Sequence, residues 1–279
     1  MTDLSQALRS LAQVPTVEDA IERVRTACTQ LRWHNALRKR MAECRAEATV
    51  RAARTSAALE GARYPLNYVR EVIGAGREVT DDMSGVQLTA AVRVAAVADE
   101  LSQTPDALRS GFMGHLARLS LAGGAGLAEE DQLGRPRRAG EEPGDMGGLP
   151  SAPSPDEVQQ RLADLEALLQ DESLPGFVVA CILHGEILAM RPFVIGNGLI
   201  ARALFRIHMV SSGVDITGVA VPEAALLSDA AGYGEAGAAY TSGRDVIGWI
   251  TMNAEAVEKG VGEGVQICQS VQAGRIPRT

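Results

Sequence analysis

Hydrophobic residues recur at helical spacing along most of this chain, and short polar or glycine-containing turns separate the apolar runs. The pattern predicts a mainly α protein. The predicted helices cover residues 3–13, 17–53, 65–74, 84–104, a stretch that begins at 105, and then 155–171, 175–189, 197–211, 222–230, 232–241 and 244–260.

Two of the apolar runs, 177–190 and 199–210, flank a bend with the sequence Pro-Phe-x-x-Gly-Asn-Gly. Glycines at a helix start leave backbone N–H groups bare and allow a ligand to approach closely, and such a start favours phosphate. Arg202 lies one turn into the second helix and can pair with the same anion. We therefore predict that the amides of 196–199 face an open phosphate-binding pocket, with Asn197 and Arg202 at its rim. The nucleotide-binding candidates are Gly196, Asn197, Gly198 and Arg202.

A short segment, Thr-Ser-Ala-Ala-Leu-Glu-Gly at 55–61, predicts a helix of one or two turns. Ser56 is a good N-cap residue, and Gly61 can end a helix. Taken alone this is an ordinary surface helix, and Glu60 faces solvent as most glutamates do.

Composition and charge exclude several classes of protein. The net charge of −8 argues against a nucleic-acid partner. The chain starts without a secretory signal pattern, and no apolar run is long enough to span a membrane, so no membrane partner is expected. The four cysteines are far apart and have no metal-ligand spacing, which is typical of reduced thiols in a cytoplasmic protein.

The bend at 191–202 resembles the signature of the Fic (Fido) family, His-Pro-Phe-x-Asp/Glu-Gly-Asn-Gly-Arg-x-x-Arg. Three positions depart from it: Arg191 replaces the catalytic histidine, Ile195 the metal-binding acid, and Leu199 the first arginine. The resemblance implies the Fic fold, a helical bundle with a small β-hairpin flap. It also implies descent from protein adenylyltransferases, which transfer AMP from ATP to a protein hydroxyl. The matching positions are Pro192, Phe193, Gly196, Asn197, Gly198 and Arg202.

The segment at 55–61 is similar to the inhibitory motif of the same family, Ser/Thr-x-x-x-Glu-Gly/Asn. Ser56, Glu60 and Gly61 occupy its fixed places. The resemblance implies an inhibitory helix near 55–62 whose Glu60 pairs with Arg202 and blocks productive nucleotide binding. We predict that Ser56 caps this helix and that Glu60 lies within ion-pair distance of Arg202.

The resemblance also divides the chain. It implies an N-terminal helical region at 1–104, a Fic-like core at 105–260 and a C-terminal tail at 261–279. Residues 121–156, rich in glycine, proline and charge, fall at the position of the flap, where a protein target would bind. Gly134 and Arg137 or Arg138 loosely fit the flap pattern, but Pro136 removes a backbone donor, so we expect a poorly ordered flap.

The replaced residues remove most of the family's chemistry. The guanidinium of Arg191 stays protonated and cannot act as a general base, although its charge could partly replace the missing arginine. Ile195 offers no oxygen ligand, so the motif is not expected to hold Mg²⁺, and no metal site is predicted. The phosphate cradle survives, which points to ATP or another nucleotide as the ligand.

Three functions are consistent with these residues. The first, which we favour, is a degenerate Fic protein that binds a nucleotide or another phosphate anion but transfers AMP poorly or not at all. The second is an active nucleotidyl or phosphoryl transferase with an altered mechanism, in which Asp171, Glu172 or Glu186 supplies the base. The third is a non-enzymatic binding or scaffold protein held shut by Glu60. The sequence does not identify the target, the nucleotide or the oligomeric state.

Overall fold

A computed structural model describes residues 3–144 and 148–276 of the chain. Within these residues the fold is all α-helical, without a strand, as the hydrophobic pattern predicts. The helices are α1 (Asp3–Ala12), α2 (Pro15–Arg32), α3 (Leu37–Leu59), α4 (Leu66–Ala75), α5 (Met83–Ser102), α6 (Ala107–Gly124), α7 (Pro155–Leu169), α8 (Gly176–Met190), α9 (Asn197–Ser211), α10 (Pro222–Ser228), α11 (Ala230–Thr241) and α12 (Val246–Gln272).

The core is built around α8 and α9, which pack against each other. Nearly every residue of α8 is buried, which explains why its sequence is apolar on all faces. Helices α2, α7, α11 and α12 pack around α8, while α3, α5 and α6 pack against α9. The loop that joins α8 to α9 is therefore held from both sides by the bundle.

The prediction of one helix over 17–53 is wrong. α2 ends at Arg32, and α3 begins at Leu37. In the turn between them, the N–H of Ala36 donates to Nδ1 of His34 at 3.2 Å, and the N–H of Trp33 bonds back to carbonyls in the last turn of α2. These local bonds stabilise a break in a segment that contains neither glycine nor proline.

The short inhibitory helix predicted near 55–62 is the last turn of α3 together with its terminus. The N–H of Gly61 donates to the Ala58 carbonyl at 3.1 Å, and the N–H of Ala62 donates to the Ala57 carbonyl at 2.9 Å. This pair of bonds is a Schellman motif, and it requires the left-handed φ of +101° that Gly61 adopts. Glu60 is therefore the C-cap residue of a long helix, and Ser56 lies inside that helix rather than at an N-cap.

The predicted end of the last helix at residue 260 is wrong. α12 continues to Gln272, into the segment assigned to a C-terminal tail at 261–279, and buries Val261, Ile267 and Val271. Gly260 and Gly264 are poor helix formers in sequence, but they serve packing here. A Cβ at Gly260 would lie 2.6 Å from the backbone nitrogen of Pro222, so only glycine allows this contact. Residues 277–279 of the predicted tail lie outside the described residues.

The predicted β-hairpin flap is not supported, since the described part of 121–156 contains only a short 3₁₀ helix, Glu130–Gln132, and no strand. Two backbone bonds hold the segment against the α8–α9 loop. The N–H of Arg137 donates to the Pro192 carbonyl and that of Gly144 to the Val194 carbonyl, each at 2.8 Å. These bonds connect the described part of the segment to the loop. Residues 145–147 lie outside the described part.

Across the described ranges, no helix combines the length and apolar character needed to cross a membrane. The four cysteines are free and buried.

Candidate functional site

The α8–α9 loop begins with an unusual backbone conformation. Arg191 ends α8 at a left-handed φ of 43°, which is rare for a residue other than glycine and is found mainly at functional or strained positions. The loop is closed by Asn197, whose Oδ1 accepts from the Phe193 N–H at 3.0 Å and whose Nδ2 donates to the Phe193 carbonyl at 2.8 Å. Asn197 is fully buried, so its predicted position at a pocket rim is wrong.

Gly196 is the N-cap residue of α9 and also has a left-handed φ, of 82°. A Cβ at this position would lie 3.2 Å from the carbonyl oxygen of Gly123, so the loop approaches the end of α6 closely. Because glycine has no side chain, the N-cap residue itself cannot cap the first amides of α9. Gly198 is buried in the first turn of that helix.

An open cavity of about 530 Å³ lies beside this helix start. It is bordered by the ends of α3 and α5, the loop, the first turns of α9, and α11. Of the four predicted nucleotide-binding residues, Gly196 and Arg202 line it, whereas Asn197 and Gly198 are not among the described lining residues. The wall consists of Leu59, Glu60, Met83, Gln87, Leu127, Gly144, Leu149, Leu188, Ile195, Gly196, Leu199, Arg202, Ala230, Tyr233, Gly234 and Gly237.

The predicted ion pair between the two motifs is present. A terminal guanidinium nitrogen of Arg202 lies 2.6 Å from Oε1 of Glu60, and the two side chains are 3% and 17% exposed. Ser56 completes the contact, since its Oγ accepts from Arg202 Nε at 3.1 Å and its carbonyl accepts from the same guanidinium at 3.3 Å. Burial alone would lower the pKa of Arg202, but Glu60 and Tyr233 raise it above its ordinary value. The guanidinium therefore stays charged.

A chain of buried polar groups supports Arg202 from behind. Asn253 Nδ2 donates to the Trp249 carbonyl, so Asn253 Oδ1 faces His184 Nδ1 at 3.1 Å and must accept its proton. His184 Nε2 then accepts from the Tyr233 hydroxyl at 2.8 Å, which leaves the oxygen lone pairs of Tyr233 for Arg202. Burial, followed by the charge of Arg202, lowers the pKa of His184 to about 3, so the ring is neutral.

Sequence analysis did not identify Tyr233 as part of the site. It lies in the weakly patterned helix α11, among alanines and glycines, and no motif marks it. The one available signal is that it is an aromatic residue in a chain with few aromatics.

Arg191 does not supply a charge to the cavity, contrary to the expectation from its position. Its side chain is buried, and its guanidinium donates to the Pro150 carbonyl in the flap segment. Ile195 and Leu199 both line the cavity with apolar side chains. Among the residues described, no group of three or more histidines, cysteines and acids could hold a metal ion.

The three acids considered as replacement bases do not reach the site. Asp171 pairs with Arg9 at 2.5 Å, Glu172 pairs with Arg109, and Glu186 pairs with an arginine of α7 at 2.6 Å. None of the three is among the described residues that line the cavity. These three carboxylates are therefore not placed to act as a base in this cavity.

Residues 123–209 match the model of the Fic/DOC family. The matched region runs from the end of α6 through the flap segment, α7 and α8 to the last turn of α9, and it includes the loop and Arg202. A search of curated proteins gave no match to the sequence.

Three solved structures share the fold. A Fic family protein from Desulfovibrio desulfuricans G20 is similar with a TM-score of 0.74 and 21% identity, over 95% of this chain and 77% of that one. Fic-1 (aa134–508) from C. elegans gives 0.68 and 19%, over 91% and 73%. A Fic domain containing signaling protein from Bacteroides thetaiotaomicron gives 0.62 and 14%, over 90% and 98%.

Proposed function

This chain belongs to the Fic/DOC family, and on that basis we propose that its cavity binds the phosphate of a nucleotide in competition with Glu60. The observation that carries the proposal is the ion pair of Arg202 with Glu60 in the wall of an open cavity. A buried guanidinium that borders a cavity attracts an anion by charge and by its planar set of donors. The carboxylate oxygen at 2.6 Å takes the place of a phosphate oxygen.

The backbone adds to this attraction. The start of α9 carries a partial positive charge from the helix dipole, and its N-cap is a glycine that lines the cavity. A phosphate that displaces Glu60 would meet both the guanidinium of Arg202 and the positive end of the helix. The same two groups explain why a carboxylate is favourable there when no ligand is bound.

Binding is proposed without efficient AMP transfer. Arg191 cannot take a proton from a target hydroxyl, and Ile195 cannot coordinate a metal on the phosphates. General-base assistance alone contributes about 10²–10⁴-fold to rates of this kind. The protein is thus a nucleotide-binding relative of the Fic adenylyltransferases, and a protein partner at the flap segment belongs to the same proposal.

Calorimetric titration with ATP, ADP and AMP at low ionic strength tests the proposal. Glu60→Ala is expected to tighten binding about tenfold, which corresponds to 1.4 kcal/mol, because the competing carboxylate is gone. Arg202→Gln is expected to abolish binding. Glu172→Ala is the matched control, since it removes an exposed carboxylate that does not line the cavity and should leave affinity unchanged.

Two outcomes would contradict the proposal in different ways. If no phosphate ligand binds either the unmodified protein or Glu60→Ala, the cavity is not a nucleotide site. If nucleotides bind but Glu60→Ala leaves the affinity unchanged, the ion pair is structural and does not compete with the ligand.

A further inference from the structure

The cavity beside α9 has little positive charge available for a ligand. Among the described residues that line it, Arg202 is the only cation and Glu60 the only carboxylate. Their charged atoms are 2.6 Å apart, so the charges nearly cancel in the absence of ligand. A ligand that displaces Glu60 can pair with one guanidinium, that of Arg202.

The positions that could hold more phosphate are apolar. Leu199 lies three residues before Arg202 on the same face of α9, and it lines the cavity with a hydrocarbon side chain. Ile195 does the same from the loop. The guanidinium of Arg191 points to the Pro150 carbonyl and is not among the described lining groups. A second and a third phosphate would therefore enter an apolar wall without a cation.

The remaining wall suits an uncharged ligand body. Its side chains are mainly hydrocarbon, with Gln87 and Tyr233 as the uncharged polar groups. The volume of about 530 Å³ lies within the range of ordinary small-molecule pockets.

We propose that this cavity selects a ligand with a single phosphate on a flat or apolar body, such as a nucleoside monophosphate, and binds it without a divalent cation. The inference rests on the proposed function, and it narrows the nucleotide to one class. A single phosphate carries about 1.5 to 2 negative charges at pH 7, which one guanidinium and a helix start can largely offset. Each further phosphate adds charge that would be buried without a partner.

The test is a calorimetric comparison of adenosine, AMP, ADP and ATP, each with and without Mg²⁺. Glu60→Ala is the main protein used, because its site is open, and the unmodified protein is run beside it. AMP is expected to bind at least tenfold more tightly than ATP and than adenosine, and Mg²⁺ is expected to change the AMP affinity by less than twofold. ATP binding more tightly than AMP, or a strong gain with Mg²⁺, would overturn the inference.

Leu199→Arg in the Glu60→Ala background is the matched variant. It adds a cation one turn from Arg202, so it should raise ATP affinity relative to AMP by at least tenfold. An unchanged ratio of the two affinities would contradict the role assigned to Leu199. Should this variant fail to fold, the comparison of AMP with ATP in Glu60→Ala decides the question alone.

The titrations distinguish a failure of this inference from a failure of the proposed function. If AMP, ADP and ATP all fail to bind, the proposed function fails and the inference falls with it. If ATP binds and AMP does not, the site is a nucleotide site and only the single-phosphate inference fails.

Discussion

Arg191, Ile195 and Leu199, the three residues that depart from the Fic signature, have packing roles in this protein. Arg191 joins the end of α8 to the flap segment through the Pro150 carbonyl. Ile195 packs beside the end of α6, where its Cγ2 would lie 3.4 Å from a Cβ placed on Gly124. Leu199 fills part of the cavity wall. All three side chains thus contribute to the packing of the loop or of the cavity wall.

Because Arg191 cannot act as a base and Ile195 cannot bind a metal, we predict that the protein transfers little or no AMP. Incubation with labelled ATP, Mg²⁺ and a cell lysate should give labelling at background for the unmodified protein and for Glu60→Gly. Combining Glu60→Gly with Arg191→His, Ile195→Asp and Leu199→Arg restores the base, the metal ligand and the phosphate clamp. That variant is expected to label protein above background.

The matched control carries Arg191→Ala in place of Arg191→His, with the other three changes kept. Labelling should fall by about 10²–10⁴-fold relative to the histidine variant, because general-base assistance is lost. Strong labelling by the unmodified protein would show that this chain transfers AMP by groups other than those of the signature.

At the scale of elements, the end of α3 determines where Glu60 lies. The Schellman bonds and the left-handed Gly61 fix the C-cap residue against α9. Nothing lies within 4 Å of a Cβ added at Gly61, so the requirement for glycine there comes from its φ of +101°.

Gly61→Ala is therefore expected to strain the turn, lower the free energy of unfolding by about 1–2 kcal/mol, and loosen Glu60 so that nucleotide binds more tightly. Urea denaturation and calorimetric titration measure the two effects. Gly76→Ala is the control, since Gly76 ends α4 with a φ of 65° and does not line the cavity. Gly76→Ala should lower the stability without changing the nucleotide affinity. If Gly61→Ala gives the same result, the turn at Gly61 does not influence ligand binding.

The hydrophobic pattern predicted helices well because burial determines them. α8 and α9 were predicted to within a residue or two, since each is mainly apolar over its buried length. The errors occurred where local bonds or close packing decide the outcome. The break after Arg32 depends on a bond to the His34 ring, and the length of α12 depends on glycines that allow contact with the segment at 219–222.

The candidate site was predicted only where sequence motifs marked its residues. Two motifs gave the contact of Glu60 with Arg202, although the segments are far apart in sequence. The rest of the cavity wall could not be predicted, because it combines single residues from segments outside the two motifs. The structural role of Asn197 was missed because its bonds to Phe193 depend on the loop conformation.

At the scale of the whole molecule, buried polar groups connect the cavity to the centre of the bundle. The chain of contacts runs from Glu60 through Arg202, Tyr233 and His184 to Asn253 on α12. Each buried group in it has a polar partner, as stable interiors require. His184 is essential to this chain in its neutral form, because Nε2 must accept the proton of Tyr233.

The requirement for a neutral ring makes stability depend on pH. The pKa of His184 is about 3 in the folded protein, compared with about 6.5 for an unperturbed histidine. Between these values the unfolded chain binds a proton that the folded protein does not, so stability falls as the pH decreases from 6.5 towards 3. Above 6.5 the ring is neutral in both states, and its contribution is constant.

Between pH 7 and pH 5, His184 should therefore account for a loss of about 2 kcal/mol in the free energy of unfolding. Urea denaturation at the two pH values measures it in the unmodified protein and in His184→Gln, which keeps a polar side chain but does not titrate. The difference between the pH values should be smaller by that amount in the variant. Equal pH dependence in His184→Gln and the unmodified protein would mean that the buried ring is not held neutral by the fold.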